Sequence, residues 1–105
     1  MDGKFRSEMQ NAFIEAKELF ELKSRVYGDS WLRFGLKGLY FDLRRKEGRL
    51  RNMIWTLNNP QDSEDTWKDL MVIAAMGKVL TDEYAKACQN KDAQKQKDLL
   101  SGELQ

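Results

Sequence analysis

Apolar side chains recur every three or four residues along most of this chain, and no stretch of strand length alternates apolar with polar. That period belongs to the α-helix. Met9, Phe13, Ala16 and Phe20, widened by Ala12, Leu19 and Val26, predict a first helix over about 7–26. Leu36, Leu39, Tyr40, Leu43, Leu50 and Ile54 predict a second over about 36–55. Leu70, Ile73, Met76, Leu80 and Tyr84 predict a third, from about Glu64 into the high eighties. The polar segment "QNKDAQKQKDLLSGELQ", about 89–105, is expected to be a tail or a frayed helix.

Two stretches break the pattern. "VYGDSW" (26–31) sets Gly28, which can close a helix with a positive φ, beside Tyr27, Trp31 and the oxygen-bearing Asp29 and Ser30. "TLNNPQDSED" carries the single proline, Pro60, and offers Asp62 or Ser63 as a cap for the third helix. The expected fold is therefore all-α, one domain over 1–105 with three principal helices. Three short helices bury little area, and Trp31, Trp55 and Trp67 add large apolar surfaces. At least a homodimer is expected on that ground, unless the tryptophans fill the core instead.

Composition narrows the chemistry. Eighteen Lys and Arg against seventeen Asp and Glu leave a net charge of +1, so no global field draws the chain to nucleic acid or to a membrane, and neither is expected as a partner. No apolar run approaches the roughly 20 residues of a membrane helix, nor does the start of the chain read as a secretory signal. One cysteine, Cys88, fits a reducing cytoplasm. The absence of histidine excludes Ser-His and Cys-His catalysis and every His-based metal site. No cofactor is certain; any chemistry would fall to carboxylates, around a hard cation such as Mg²⁺.

Several carboxylates fall on or beside the apolar faces. Glu15 and Glu18 lie one turn apart on the first helix, Glu47 lies between Leu43, Leu50 and Ile54, and Asp65 and Asp69 lie one turn apart on the third. An acid turned towards a core is costly unless something positive meets it. Carboxylates converging from different helices are how bundles hold metals. The alternatives are that Glu47 pairs with an arginine and that Asp65 favours its helix N-terminus. The second helix also carries "RRKEGRLR", with Arg44, Arg45, Lys46, Arg49 and Arg51. Arginine forks suit phosphate oxygens, but residues so far around a helix reach one ligand only two or three at a time. Lys46 lies nearest the apolar face.

"YGDSW", the basic helix with "KEGRL", and "EDTWKDLMVIAA" together resemble the phage nucleotide-modification-associated helical domain, which is related to the all-α NTP pyrophosphohydrolases (MazG-like proteins and dimeric dUTPases). The resemblance spans about residues 15–84. It implies that Glu15 and Glu18, with Asp65 and Asp69, would hold Mg²⁺ if a metal binds. It also implies a ligand site at Tyr27, Asp29, Trp31, Lys46 and Arg49, with the aromatics stacking on a base. Three departures stand out: Arg45 and Gln61 replace acids of the family pattern, and the second acidic pair is spaced by four residues rather than three. Fewer acids and one more base favour direct phosphate contact over divalent-metal binding. The expectation is a phage-type, cytoplasmic nucleotide-binding protein that holds a nucleotide or nucleotide-derived immune signal without hydrolysis, a sponge. The alternatives are a Mg²⁺-dependent nucleotide pyrophosphohydrolase and a protein-interaction module.

Overall fold

The computed structural model of the chain describes residues 2–28 and 33–102. Asp29, Ser30 and Trp31 therefore lie outside the described residues. Helix α1 spans Gly3–Tyr27 and begins four residues before the apolar pattern does. Its cap explains the early start: the Asp2 carboxylate accepts the Phe5 N–H at 2.9 Å. It closes at Gly28, whose φ is +62° and whose N–H donates to the Ser24 carbonyl at 2.8 Å. The ψ of −139° lies outside the left-handed helical region, in a conformation open essentially to glycine.

Helix α2 spans Gly35–Arg51 and runs into a π-helical turn over Asn52–Thr56. There the Leu57 N–H reaches back five residues to the Asn52 carbonyl, at 2.9 Å. The second apolar stripe is thus one rod with a widened last turn. A 3₁₀ turn over Pro60–Ser63 leads into α3, Glu64–Gln89. Ser63 occupies the capping position, but its hydroxyl makes no capping bond. It donates instead to the Pro60 carbonyl at 2.6 Å, tying down the preceding turn.

The expected count of three principal helices needs correcting. Part of the polar segment forms a fourth, α4, over Ala93–Ser101. The Asp92 carboxylate accepts the Lys95 N–H at 3.1 Å and so caps it. Leu99 and Leu100 were the signal: a lone apolar pair suffices when a one-turn connection returns the helix onto a formed surface.

All elements among the described residues are helical. The long α3 is the spine: α1, α2 and α4 each pack along it, and α4 also packs on α2. The buried apolar core among the described residues consists of Ala16, Leu50, Val72, Ile73, Leu80 and Ala87. Two of these are alanines, so the core is small for the chain. The radius of gyration, 16.2 Å, exceeds the roughly 13 Å of a compact domain of this length. Phe13, Ile14, Val26 and Tyr27 of α1 all stand more than half exposed. Trp55 and Trp67 are not core fillers either, being 81% and 51% exposed.

Candidate functional site

The candidate site lies where α1, α2 and α3 meet around one carboxylate. Asp69, in the second turn of α3, accepts from Lys23 of α1 at 3.2 Å and from Lys46 of α2 at 3.1 Å, one oxygen to each lysine. Helical spacing explains the convergence. Lys23 follows Ala16 by seven residues and Phe20 by three, so it sits on the stripe that α1 turns to α3. Lys46 lies four residues before the buried Leu50 and points the same way. Its side chain is only 11% exposed, against 20% for Asp69 and 41% for Lys23.

Burial alone would raise the Asp69 carboxyl, but hydrogen bonds and charge from Lys46 and Lys23 outweigh it and hold the group below its usual value near 3.8. The cluster carries two cations and one anion. Arg49 lies one turn beyond Lys46 on α2, and Tyr27 one turn beyond Lys23 on α1; both are exposed. Arg49 has no ion-pair partner among the described residues. The arrangement therefore offers fixed positive charge, with a further guanidinium and an open aromatic ring each one helical turn from one of the two lysines.

The other acids are placed differently. Glu15 and Glu18 are exposed on α1. Asp65 is 93% exposed and faces only Lys68, at 3.8 Å. Among the described residues no group of three or more His, Cys, Asp or Glu side chains is placed to hold a metal ion. Glu15, Glu18, Asp65 and Asp69 are thus not brought together as a ligand set, because Asp69 is turned between two lysines. Glu47 takes the arginine alternative: Arg51 Nη2 lies 2.9 Å from each of its two carboxylate oxygens. Of the expected ligand residues, Lys46 is in the cluster, Tyr27 and Arg49 are exposed one helical turn along α1 and α2 from its lysines, and Asp29 and Trp31 lie outside the described residues. Lys23 was missed, although a lysine inside an apolar stripe is itself a signal.

Two concavities flank this junction. A groove of about 670 Å³ runs between α1 and α3, lined by Phe13, Phe20, Met71, Met76 and Val79 with Ala16 at its floor. A smaller cleft of about 370 Å³ lies at the π-helical turn, between the Glu47–Arg51 pair and Trp55. Among the described residues no helix is long and apolar enough to cross a membrane. Comparison of the chain with protein-family models, with curated proteins and with solved structures found no match.

Proposed function

We propose that the protein binds a phosphate-bearing nucleotide or nucleotide-derived signal at the Lys23–Asp69–Lys46 junction and holds it intact. The observation that carries this reading is the junction itself: two lysines ordered by one carboxylate, with Arg49 and Tyr27 each one turn away. Lysines already positioned lose little conformational freedom when a phosphate arrives, and Arg49 adds a planar fork. The resemblance to nucleotide-handling helical proteins points to the same ligand class. Holding rather than hydrolysis is favoured by Asp69, which faces cations instead of other acids. A phage protein that sequesters an immune signal is the cellular role this reading suggests.

A thermal-shift screen over mononucleotides, cyclic nucleotides and ADP-ribose, with and without Mg²⁺, tests it. The expected result is a metal-independent shift with the ligand recovered unchanged. Arg49→Ala should weaken binding by about 10- to 150-fold, the equivalent of one charge-assisted bond of about 1.5–3 kcal/mol. Lys97→Ala, at an exposed position of α4, should have no effect. Equal affinity of the two variants removes Arg49 from the site, and a shift that requires Mg²⁺ with product formation returns the chain to the pyrophosphohydrolase alternative.

The α1–α3 groove favours a second reading, an interaction module. Two antiparallel helices sharing an open apolar face make half of a four-helix bundle, and a second copy would complete it. A Val79→Glu variant that remains as associated as the parent by light scattering would set this reading aside.

A further inference from the structure

The outward face of α2 is a second charged surface, and the function above does not use it. Residues Gly35–Arg51 hold six cations and two acids, a net charge of +4, so the rest of the chain carries −3. The whole-chain charge of +1 is therefore an average over unlike regions. Successive residues step by about 100° around the helix. Within α2 that places Lys37, Phe41, Arg44, Arg45 and Gly48 on the side opposite Leu50, with Arg51 at its edge and, in the π-helical turn beyond, Trp55 beside the Glu47–Arg51 pair. Both acids lie at the edges of this face: Asp42 on one side, 2.6 Å from Arg45, and Glu47 on the other, bound by Arg51. Arg33, Lys37 and Arg44 make no ion pair among the described residues.

Aromatic rings alternate with these cations. Phe34, Phe41 and Trp55 are 56%, 75% and 81% exposed. Phe41, Gly48 and Trp55 follow at seven-residue intervals over about 20 Å of the rod at 1.5 Å per residue, and Phe34 precedes it across Gly35. Gly48 is mid-helix and exposed, and a Cβ there would meet nothing within 4 Å. Among the described residues no packing contact requires that glycine, and an alanine would favour the helix. Its absence of a side chain leaves the backbone open between Phe41 and Trp55.

We infer that the outward face of α2 binds single-stranded nucleic acid: Lys37, Arg44 and Arg51 meet backbone phosphates while Phe41 and Trp55 stack on bases, with Gly48 letting the strand lie close to the helix. Charge complementarity sets the class of partner, since Lys37, Arg44, Arg45 and Arg51 outnumber the two acids at the edges of the face. The rings set the strandedness. They stand on a convex ridge, where an unstacked base can lie flat on them, whereas a duplex keeps its base faces covered. The site lies across α2 from Lys46, so it is separate from the nucleotide junction.

The test is fluorescence anisotropy of a labelled single strand of about twelve nucleotides, within the site sizes of single-strand binders, made as DNA and as RNA. The same sequence as a duplex and an acidic poly-glutamate peptide serve as comparisons. The single strand should bind at low salt and quench tryptophan emission. Log affinity should fall with log salt at a slope of about −2, as expected for three neutralised phosphates. Phe41→Ala and Trp55→Ala should each weaken binding at least about fivefold, and Arg44→Ala should reduce the slope by about 0.7. All three positions are exposed, so circular dichroism should show the fold unchanged. Absence of binding at low salt overturns the proposal. So does equal affinity for the duplex or for poly-glutamate, which would make the face a general polyanion patch or a peptide site. Loss of self-association in Phe41→Ala or Trp55→Ala also overturns it, because a second copy would then own the face. Arg49→Ala separates this site from the nucleotide junction: it should cost mononucleotide binding, whereas the losses of about fivefold or more in Phe41→Ala and Trp55→Ala should fall on the oligonucleotide alone.

Discussion

Asp69→Ala is expected to lower the unfolding free energy by about 2–3 kcal/mol, read from the urea midpoint at unchanged m-value. The substitution leaves Lys46, 11% exposed, without its acid. Removing one member of a buried ion pair costs about 3–5 kcal/mol because the remaining charge stays desolvated. Lys23 is 41% exposed and regains water, so its share is discounted and the lower figure applies. Replacing Lys46 as well, as Asp69→Leu with Lys46→Met, should recover much of the loss, since the buried charge then disappears with its partner. A loss below about 0.5 kcal/mol for Asp69→Ala would show that the junction rehydrates freely, beyond the usual reach of a part-buried pair.

The same carboxylate sets a pH dependence. Its value in the folded protein lies below the ordinary value near 3.8, so the unfolded chain binds its proton first as pH falls. The stabilisation is therefore fully present above that ordinary value and is lost as pH drops through the lowered folded one. Asp69→Asn should melt below the parent at neutral pH, and the gap should narrow in the acid range beneath 3.8. A gap that stays constant down to that range would separate the charge on Asp69 from its contribution to stability.

The second large effect concerns two glycines. Gly35, at the start of α2, has φ +65°, and a Cβ there would come within 2.7 Å of the Gly102 nitrogen and of the Leu99 carbonyl oxygen. Gly102 has φ +84°, and its Cβ would collide with the Arg33 carbonyl oxygen. Every neighbour in question is backbone, so no rotamer change relieves the contact. Gly35→Ala should cost about 2–5 kcal/mol, combining about 1–2 kcal/mol for a side chain at positive φ with about 1–3 kcal/mol of overpacking. Gly102→Ala should cost a similar amount and release α4 first, seen as early hydrogen exchange over Ala93–Ser101. Gly48→Ala is the control: with open space around it and a helical backbone, it should gain about 0.5–1 kcal/mol. If Gly35→Ala proved as stable as Gly48→Ala, the close approach of α4 to α2 would be refuted.

The helical class and the three long stripes follow from local spacing alone. A period near 3.6 is imposed by backbone geometry, and Leu50, Ile73 and Leu80 are buried where the period puts them. Lys46 was also legible as the cation nearest the apolar face, because its angle around α2 is fixed by its distance from Leu50. The Glu47–Arg51 pair is likewise a contact at helical spacing.

Other features were decided only when the helices met. Asp69 reads in sequence as one of four acids; its partners lie 46 and 23 residues away along the chain, and no local rule selects two lysines over another acid. The fourth helix depends on Gly35 and Gly102 coming together, a contact between residues with opposite places in the chain. Trp55 and Trp67 are large and apolar, yet both stay exposed: Trp55 sits in the π-helical turn after α2, and α3 fills its inner face with Val72, Ile73 and Leu80 instead of Trp67. Charge behaves the same way: counting residues gives +1, and only the outward turn of α2 separates the cations from the acids that balance them. Periodicity fixes what each helix presents, but which faces meet is a property of long-range packing, where contact energies between distant residues outweigh local preference.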